Sequence, residues 1–164
     1  MKYIFINQTS NERGGITTLA EHFHEFEPDS IILNLNAEET DLTDSRRKFV
    51  SAEVSHQPEE ISKVIDSMVR PFAEEKFLLI PNYGQIAHAS AALALANNEN
   101  CRILGIGHTN QEASYEILVS FAPTISRYVA VSKWVLRELS SKVRNKKITR
   151  LYPLTTTSPT PSDH

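Results

Sequence analysis

The sequence predicts an α/β domain on a mostly parallel, doubly wound sheet of about six to seven strands. Two observations carry this. Short apolar runs alternate with longer amphipathic segments along the whole chain. The runs themselves, "YIFI" and "FLLI" among them, are continuously apolar rather than alternating, which marks strands covered on both faces.

The elements follow in order. Residues 3–6 are a strand, and "ITTLAEHFHEF" (16–26) brings Ile16, Leu19, Ala20, Phe23 and Phe26 to helical spacing before Pro28-Asp29 breaks it. "SIILNL" (30–35) is the second strand. Polar residues 36–48 read as a loop with room for a short helix, and "FVSAEVS" (49–55) as a third strand. Residues 58–72 form a helix opened by Pro58, with Glu59 and Glu60 in the first turn, where they complement the helix dipole. Its apolar face is Ile61, Val64, Ile65, Met68 and Val69. "KFLLIPN" (76–82) is a strand and the Ala-rich 86–98 a helix able to lie close to a sheet. The strand "CRILGIG" (101–107) precedes a helix over 111–122 that stops near Pro123. Residues 127–132 are a strand, 133–143 a helix with Ser132 placed to cap it, and 147–153 the last strand. The domain spans 1–153, and "LTTTSPTPSDH" (154–164) reads as a linker or disordered tail, without internal repeats anywhere.

Composition narrows the function classes. The chain of 164 residues is 40% hydrophobic and 23% charged, with a net charge of -3. It has no basic face of the kind nucleic-acid binding requires, and "RNKK" (144–147) reads as a solvated helix end. The single cysteine, Cys101, opens an apolar run and reads as a buried strand residue, which suits a reducing compartment. No apolar stretch reaches the roughly 20 residues of a membrane span, and the N-terminus lacks a signal-peptide layout. A cytoplasmic protein is expected, with membrane-surface association left open.

Parallel sheets of this kind bind ligands at the carboxyl ends of their strands, so the residues just after each strand come under scrutiny. After the first strand, Gly14 and Gly15 open a helix whose free amides suit an anion, and Arg13 adds charge; a tight turn explains the same glycines. The loop has neither G-x-G-x-x-G nor a P-loop Gly-Lys-Ser/Thr. After "FLLIP" come Asn82, Tyr83 and Gly84, either a close approach to a ligand or an ordinary turn capped by Asn. After "RILGIG" come His108, Thr109 and Asn110, with Gly105 and Gly107 leaving room for a backbone or a ligand. His108 is suited to donating a hydrogen bond to a sugar hydroxyl or a phosphate, or to moving a proton; the bland alternative is a helix-capping turn with an incidental histidine. His22 and His24 lie two apart on a helix and cannot share a metal, while His56, His88 and His164 read as structural or surface residues. Tyr115 and Glu116 read as core or surface. No Cys-x-x-Cys, H-E-x-x-H or G-x-S-x-G is present, so metal and nucleophile chemistry have no support in the sequence, and no metal is expected.

Three stretches resemble family-4 glycosyltransferases of the GT-B fold. "GGITTLA" resembles the opening of their first helix, and "ILGIGHTNQEASYEILVSFAPTISRYVAVSKWVLREL" (103–139) resembles their strand, histidine loop, helix, strand and helix. "ITRLYP" (148–153) resembles the last strand of their N-terminal domain. The resemblance implies a Rossmann-like acceptor-side domain of a retaining, nucleotide-sugar-dependent hexosyltransferase for polysaccharide biosynthesis. It implies that Gly14, Gly15 and Arg13 face the donor diphosphate and that His108 contacts the transferred sugar. Asn82, Tyr83, Gly84, Thr109 and Asn110 fall on the acceptor side. The donor is a nucleotide sugar used as substrate, with no cofactor and no metal; the implied partners are a sugar or glycolipid acceptor and a C-terminal donor domain. "LYP" is followed by "LTTTSPTPSDH" instead of the usual Asn-Gly. The expectation is therefore one half of such an enzyme, inactive by itself, with a non-catalytic binding or regulatory module as the alternative. An unrelated nucleotide-binding α/β protein is disfavoured by the missing dinucleotide fingerprint.

Overall fold

A computed structural model describes residues 1–7, 15–35, 45–82, 84–109, 111–144 and 146–151, with the backbone alone for 15–18. The strands are β1 (Lys2–Asn7), β2 (Ser30–Leu35), β3 (Arg47–Val50), β4 (Phe77–Pro81), β5 (Cys101–Gly107), β6 (Ile125–Ala130) and β7 (Ile148–Arg150). The helices are α1 (Gly15–Phe26), α2 (Pro58–Val69), α3 (Gln85–Asn97), α4 (Glu112–Ser120) and α5 (Lys133–Lys142). All seven strands form one parallel sheet in the order β3-β2-β1-β4-β5-β6-β7. This is the expected Rossmann-like, doubly wound architecture. The chain order reverses between β1 and β4, and such a switch point opens a crevice at the strands' carboxyl ends.

Period-two alternation along each strand divides the core between the two sheet faces. Ile4 and Ile6 face one side with Leu33, Leu35 and Leu79, against Ile61, Ile65 and Val69 of α2, Ala87, Ala91 and Ala94 of α3, and Val135 and Leu139 of α5. Phe5, Ile32, Ile80 and Ile106 face the other, against Leu19, Ala20 and Phe23 of α1. The alanine stripe of α3 keeps that helix tight against its neighbours, and Asp66 of α2 accepts from Asn97 and Asn98 at the end of α3 (2.9 and 2.6 Å). Phe23 sets its ring edge against Tyr3 and tilts on Phe5, at 4.9 and 5.3 Å between centroids.

Several boundaries differ from the sequence expectation, each for a local reason. The third strand covers Arg47–Val50 instead of 49–55, because the Ser51 carbonyl accepts the amides of Val54 and Ser55 and turns the chain toward Pro58. The helix over 58–72 is α-helical only to Val69 and tightens to a 3-10 turn over Arg70–Phe72, where Pro71 has no amide to donate. β6 starts at Ile125, two residues early, because a register shift at Ile103/Leu104 brings Ile125 opposite Ile103. β7 ends at Arg150, and residues 152–164, including the expected linker, lie outside the described residues. Phe26 is 77% exposed, so it does not belong to the buried stripe of α1. The stripe continues instead through His24, four residues after Ala20, whose Nδ1–H donates to Ser30 Oγ (2.8 Å) while that hydroxyl donates to the Glu27 carbonyl (2.7 Å).

Pro58 at the start of α2, the α2 apolar face, buried Cys101 and the Ser132 cap, whose Oγ accepts from the Val135 amide at 3.1 Å, all stand as expected. Burial pushes the Cys101 thiol up to about 11, which keeps it protonated. Among the described residues, no helix is long and apolar enough to cross a membrane.

Candidate functional site

The apolar row on the α1 face turns polar two residues further along the strands. Phe5, Ile32 and Ile80 are followed on the same face by Asn7, Asn34 and Asn82, and Ile106 by His108. Asn7 stands opposite Asn34 in the β1–β2 register, and the Asn82 amide extends the β4–β1 ladder by donating to the Ile6 carbonyl (3.0 Å). The side chains join across the switch point. His108 Nε2–H donates to Asn82 Oδ1 (3.1 Å), Asn82 Nδ2 donates to Asn7 Oδ1 (2.8 Å), and Asn7 Nδ2 donates to Asn34 Oδ1 (3.3 Å). All three asparagines are buried, and a bonded row is how such amides avoid the cost of burial. One polar row thus spans the ends of β5, β4, β1 and β2.

His108 is half-buried, and desolvation pulls its pKa down to about 4. It is therefore neutral near pH 7. With Nε2–H committed to Asn82, Nδ1 is left as a hydrogen-bond acceptor. The sequence suggested a donor or a proton carrier; the geometry instead leaves His108 a neutral acceptor at Nδ1, and a pKa this low makes it a weak base at neutral pH.

The flanking residues frame the row. Gly84 sits at φ 84°, ψ 156°, a conformation essentially reserved for glycine, and caps the start of α3. Its carbonyl accepts from the Nδ1–H of His88 (2.8 Å). Asn82 serves the polar row with its side chain and is not the cap of α3. Thr109 Oγ1 accepts from the Gln111 amide (3.3 Å) and closes the turn into α4. Gly15 opens α1, so the N-terminus of that helix stands at the carboxyl-end side of β1. Arg13, Gly14, Tyr83 and Asn110 lie outside the described residues.

Gly105 and Gly107 do not hold space for a ligand. A Cβ at Gly107 would meet Val135 Cγ1 at 2.6 Å and Leu139 Cδ1 at 2.9 Å, and one at Gly105 would meet the Tyr128 ring at 3.0 Å. The room belongs to α5 and to Tyr128, whose hydroxyl donates to the Leu118 carbonyl (3.0 Å). Tyr115 is core. Among the described residues, no three His, Cys, Asp or Glu side chains gather to hold a metal.

Sequence reasoning missed Asn7 and Asn34, while His88, read as structural or surface, is buried and bonded to the Gly84 carbonyl. The signal for the first two is an asparagine at or near the end of an otherwise apolar strand, as in "YIFIN" and "SIILNL". His88 is 4% exposed within a helix of small apolar residues, where a histidine needs a partner or a purpose. No protein-family model and no curated protein matches the chain.

Proposed function

We propose that this is the acceptor-side domain of a retaining, nucleotide-sugar-dependent glycosyltransferase of the GT-B kind, working with a donor-holding domain. The observation that supports it most is His108, a neutral histidine at the end of β5, with Nε2 fixed by Asn82 and Nδ1 left as an acceptor. A hydroxyl of the sugar donates to Nδ1, which fixes the sugar's rotation before transfer. The glycosyl C–O bond to the diphosphate breaks, and the acceptor oxygen forms its bond on the same face. The acceptor's proton leaves with the diphosphate oxygen, so His108 need not carry it. Gly15 at the start of α1, with Gly14 and Arg13 preceding it in sequence, faces the diphosphate in this reading, and the three stabilise its developing charge. Asn82, Tyr83, Gly84, Thr109 and Asn110 border the acceptor, a sugar or glycolipid hydroxyl.

The test is sugar transfer from a panel of nucleotide sugars by the full-length gene product. His108→Ala is expected to lower kcat about 100-fold, the scale of a lost positioning contact, while the unfolding transition stays cooperative. Turnover near wild type in that variant removes the role assigned to His108. Tight binding of NAD or FMN to the chain, seen by calorimetry, overturns the transferase reading. A full-length product without any transferase activity leaves the non-catalytic module in its place.

A further inference from the structure

A small recess lies beside His108, between α3, β5 and α4. It is lined by Asn82, His88 and His108, by Ser114, and by the apolar Ile117 and Leu118, with space of about 20 Å³, room for one water-sized group. Two buried polar atoms on its wall have no partner: His88 Nε2 and Ser114 Oγ. The His88 tautomer is fixed, because Nδ1–H donates to the Gly84 carbonyl, and so Nε2 offers a lone pair. The ring packs tilted on Phe121, 5.6 Å between centroids and 32° between planes, which restrains its rotation. His108 and Thr109, both half-buried, lie at the solvent side. A buried acceptor without a protein partner costs free energy, and a group that donates to it recovers that cost.

We propose that His88 Nε2 and Ser114 Oγ form a single-hydroxyl subsite, which takes one neutral hydroxyl of a polyhydroxylated ligand lying against His108. The hydroxyl donates to His88 Nε2 and accepts from Ser114 Oγ, satisfying both atoms at once. Chemistry excludes the other occupants. Among the described residues the wall carries no lysine or arginine, so an anion finds one hydroxyl donor and no charge from them. A cation finds no carboxylate among the described lining residues. An apolar group leaves both orphan atoms unsatisfied. Ile117 and Leu118 receive the ligand's C–H face, an arrangement common to sugar and polyol sites.

The ligand class rests on the reading of the strand-end cleft as a sugar cleft; the subsite itself rests on the recess. The experiment uses the whole 15N-labelled chain, with long-range spectra reporting the His88 ring nitrogens. Glycerol and methyl α-D-glucopyranoside are the neutral probes, and inorganic phosphate is the anion. Either polyol is expected to shift His88 Nε2 and the Ser114 amide while leaving His24 unchanged. Ser114→Ala, a mild change on a helix, is expected to weaken that response about tenfold, one hydrogen bond's worth. No polyol response at His88, a response to phosphate instead, or a resident water that neither polyol displaces overturns the subsite. If the polyol response is present and the full-length protein transfers no sugar, the subsite stands and the transferase reading falls. If transfer proceeds, with His88 silent and Ser114→Ala unaltered in KM, the reverse holds.

Discussion

Lowering the pH is expected to destabilise this domain through His108, in the window between its lowered and its ordinary pKa. The histidine sits at about 4 in the folded chain against an ordinary 6.5, and desolvation is the cause. A histidine depressed on folding is neutral in the folded state where the unfolded chain is already protonated. Its contribution to stability is therefore complete above about pH 6.5 and is lost as pH falls toward 4. At about 1.4 kcal/mol per unit, the full shift sets a ceiling of about 3 kcal/mol. His108 is half-buried, and screening brings the expected loss between pH 7.5 and 4.5 to about 2 kcal/mol, or about 4–8 °C in Tm for a domain of this size. His88 is also depressed by burial and adds in the same direction.

The assay is urea unfolding of the wild type and of His108→Gln at several pH values between 4.5 and 7.5. Glutamine cannot titrate, and its amide can still donate to Asn82. The variant's stability is expected to fall less steeply with acid, by about 2 kcal/mol over the window, and the difference between the two profiles removes every group they share. A ring-proton titration of His108 near 6.5, or parallel profiles for the two proteins, would refute the desolvated histidine and the acceptor role derived from it.

Other outcomes follow from the same geometry. Asn82→Ala orphans both His108 Nε2–H and Asn7 Oδ1 and is expected to cost about 2–4 kcal/mol in denaturant unfolding, more than Asn34→Ala at the row's end. The opposite ranking would show that the row is not continuous. Gly107→Ala drives a methyl into Val135 and Leu139 and should destabilise by about 1–3 kcal/mol, detectable as a lowered Tm. Gly84→Ala forces a side chain into φ 84° and should cost about 1–3 kcal/mol, with altered amide shifts at His88, whose Nδ1–H bonds the Gly84 carbonyl.

The alternation of elements was legible because both signals for it are local. Pro58, Glu59 and Glu60 mark the start of α2 without any tertiary knowledge, and Ser132 caps α5 with an atom three residues from its partner. Position in the sheet was also partly legible: residues after apolar strands lie at the carboxyl-end edge of the sheet, which singled out Asn82 and His108. The remainder depends on neighbours far along the chain. Asn7 and Asn34 become site residues only because β1 and β2 pair in register, 27 positions apart. The glycines of β5 looked like space for a ligand, yet the side chains filling it come from β6 and α5. "FVSAEVS" has strand-like composition throughout, and its second half is a turn because of hydrogen bonds to Ser51 that composition does not encode.

The polar row also imposes a constraint that no single residue shows. Each side chain donates toward β2: His108 to Asn82, Asn82 to Asn7, Asn7 to Asn34. Turning one amide alone would set two donors or two acceptors against each other, at the cost of a buried unsatisfied pair. The four groups therefore keep a common direction. The tautomer of His108, and with it the identity of the nitrogen it offers to a ligand, is coupled to the amide orientation of Asn34, three strands away in the sheet. The parallel ladder holds those strands at fixed spacing, so the coupling needs no movement. A rigid sheet with a polar end-row can thus present one pre-set acceptor at its edge before any ligand arrives, and this preorganisation is what positioning chemistry demands of its scaffold.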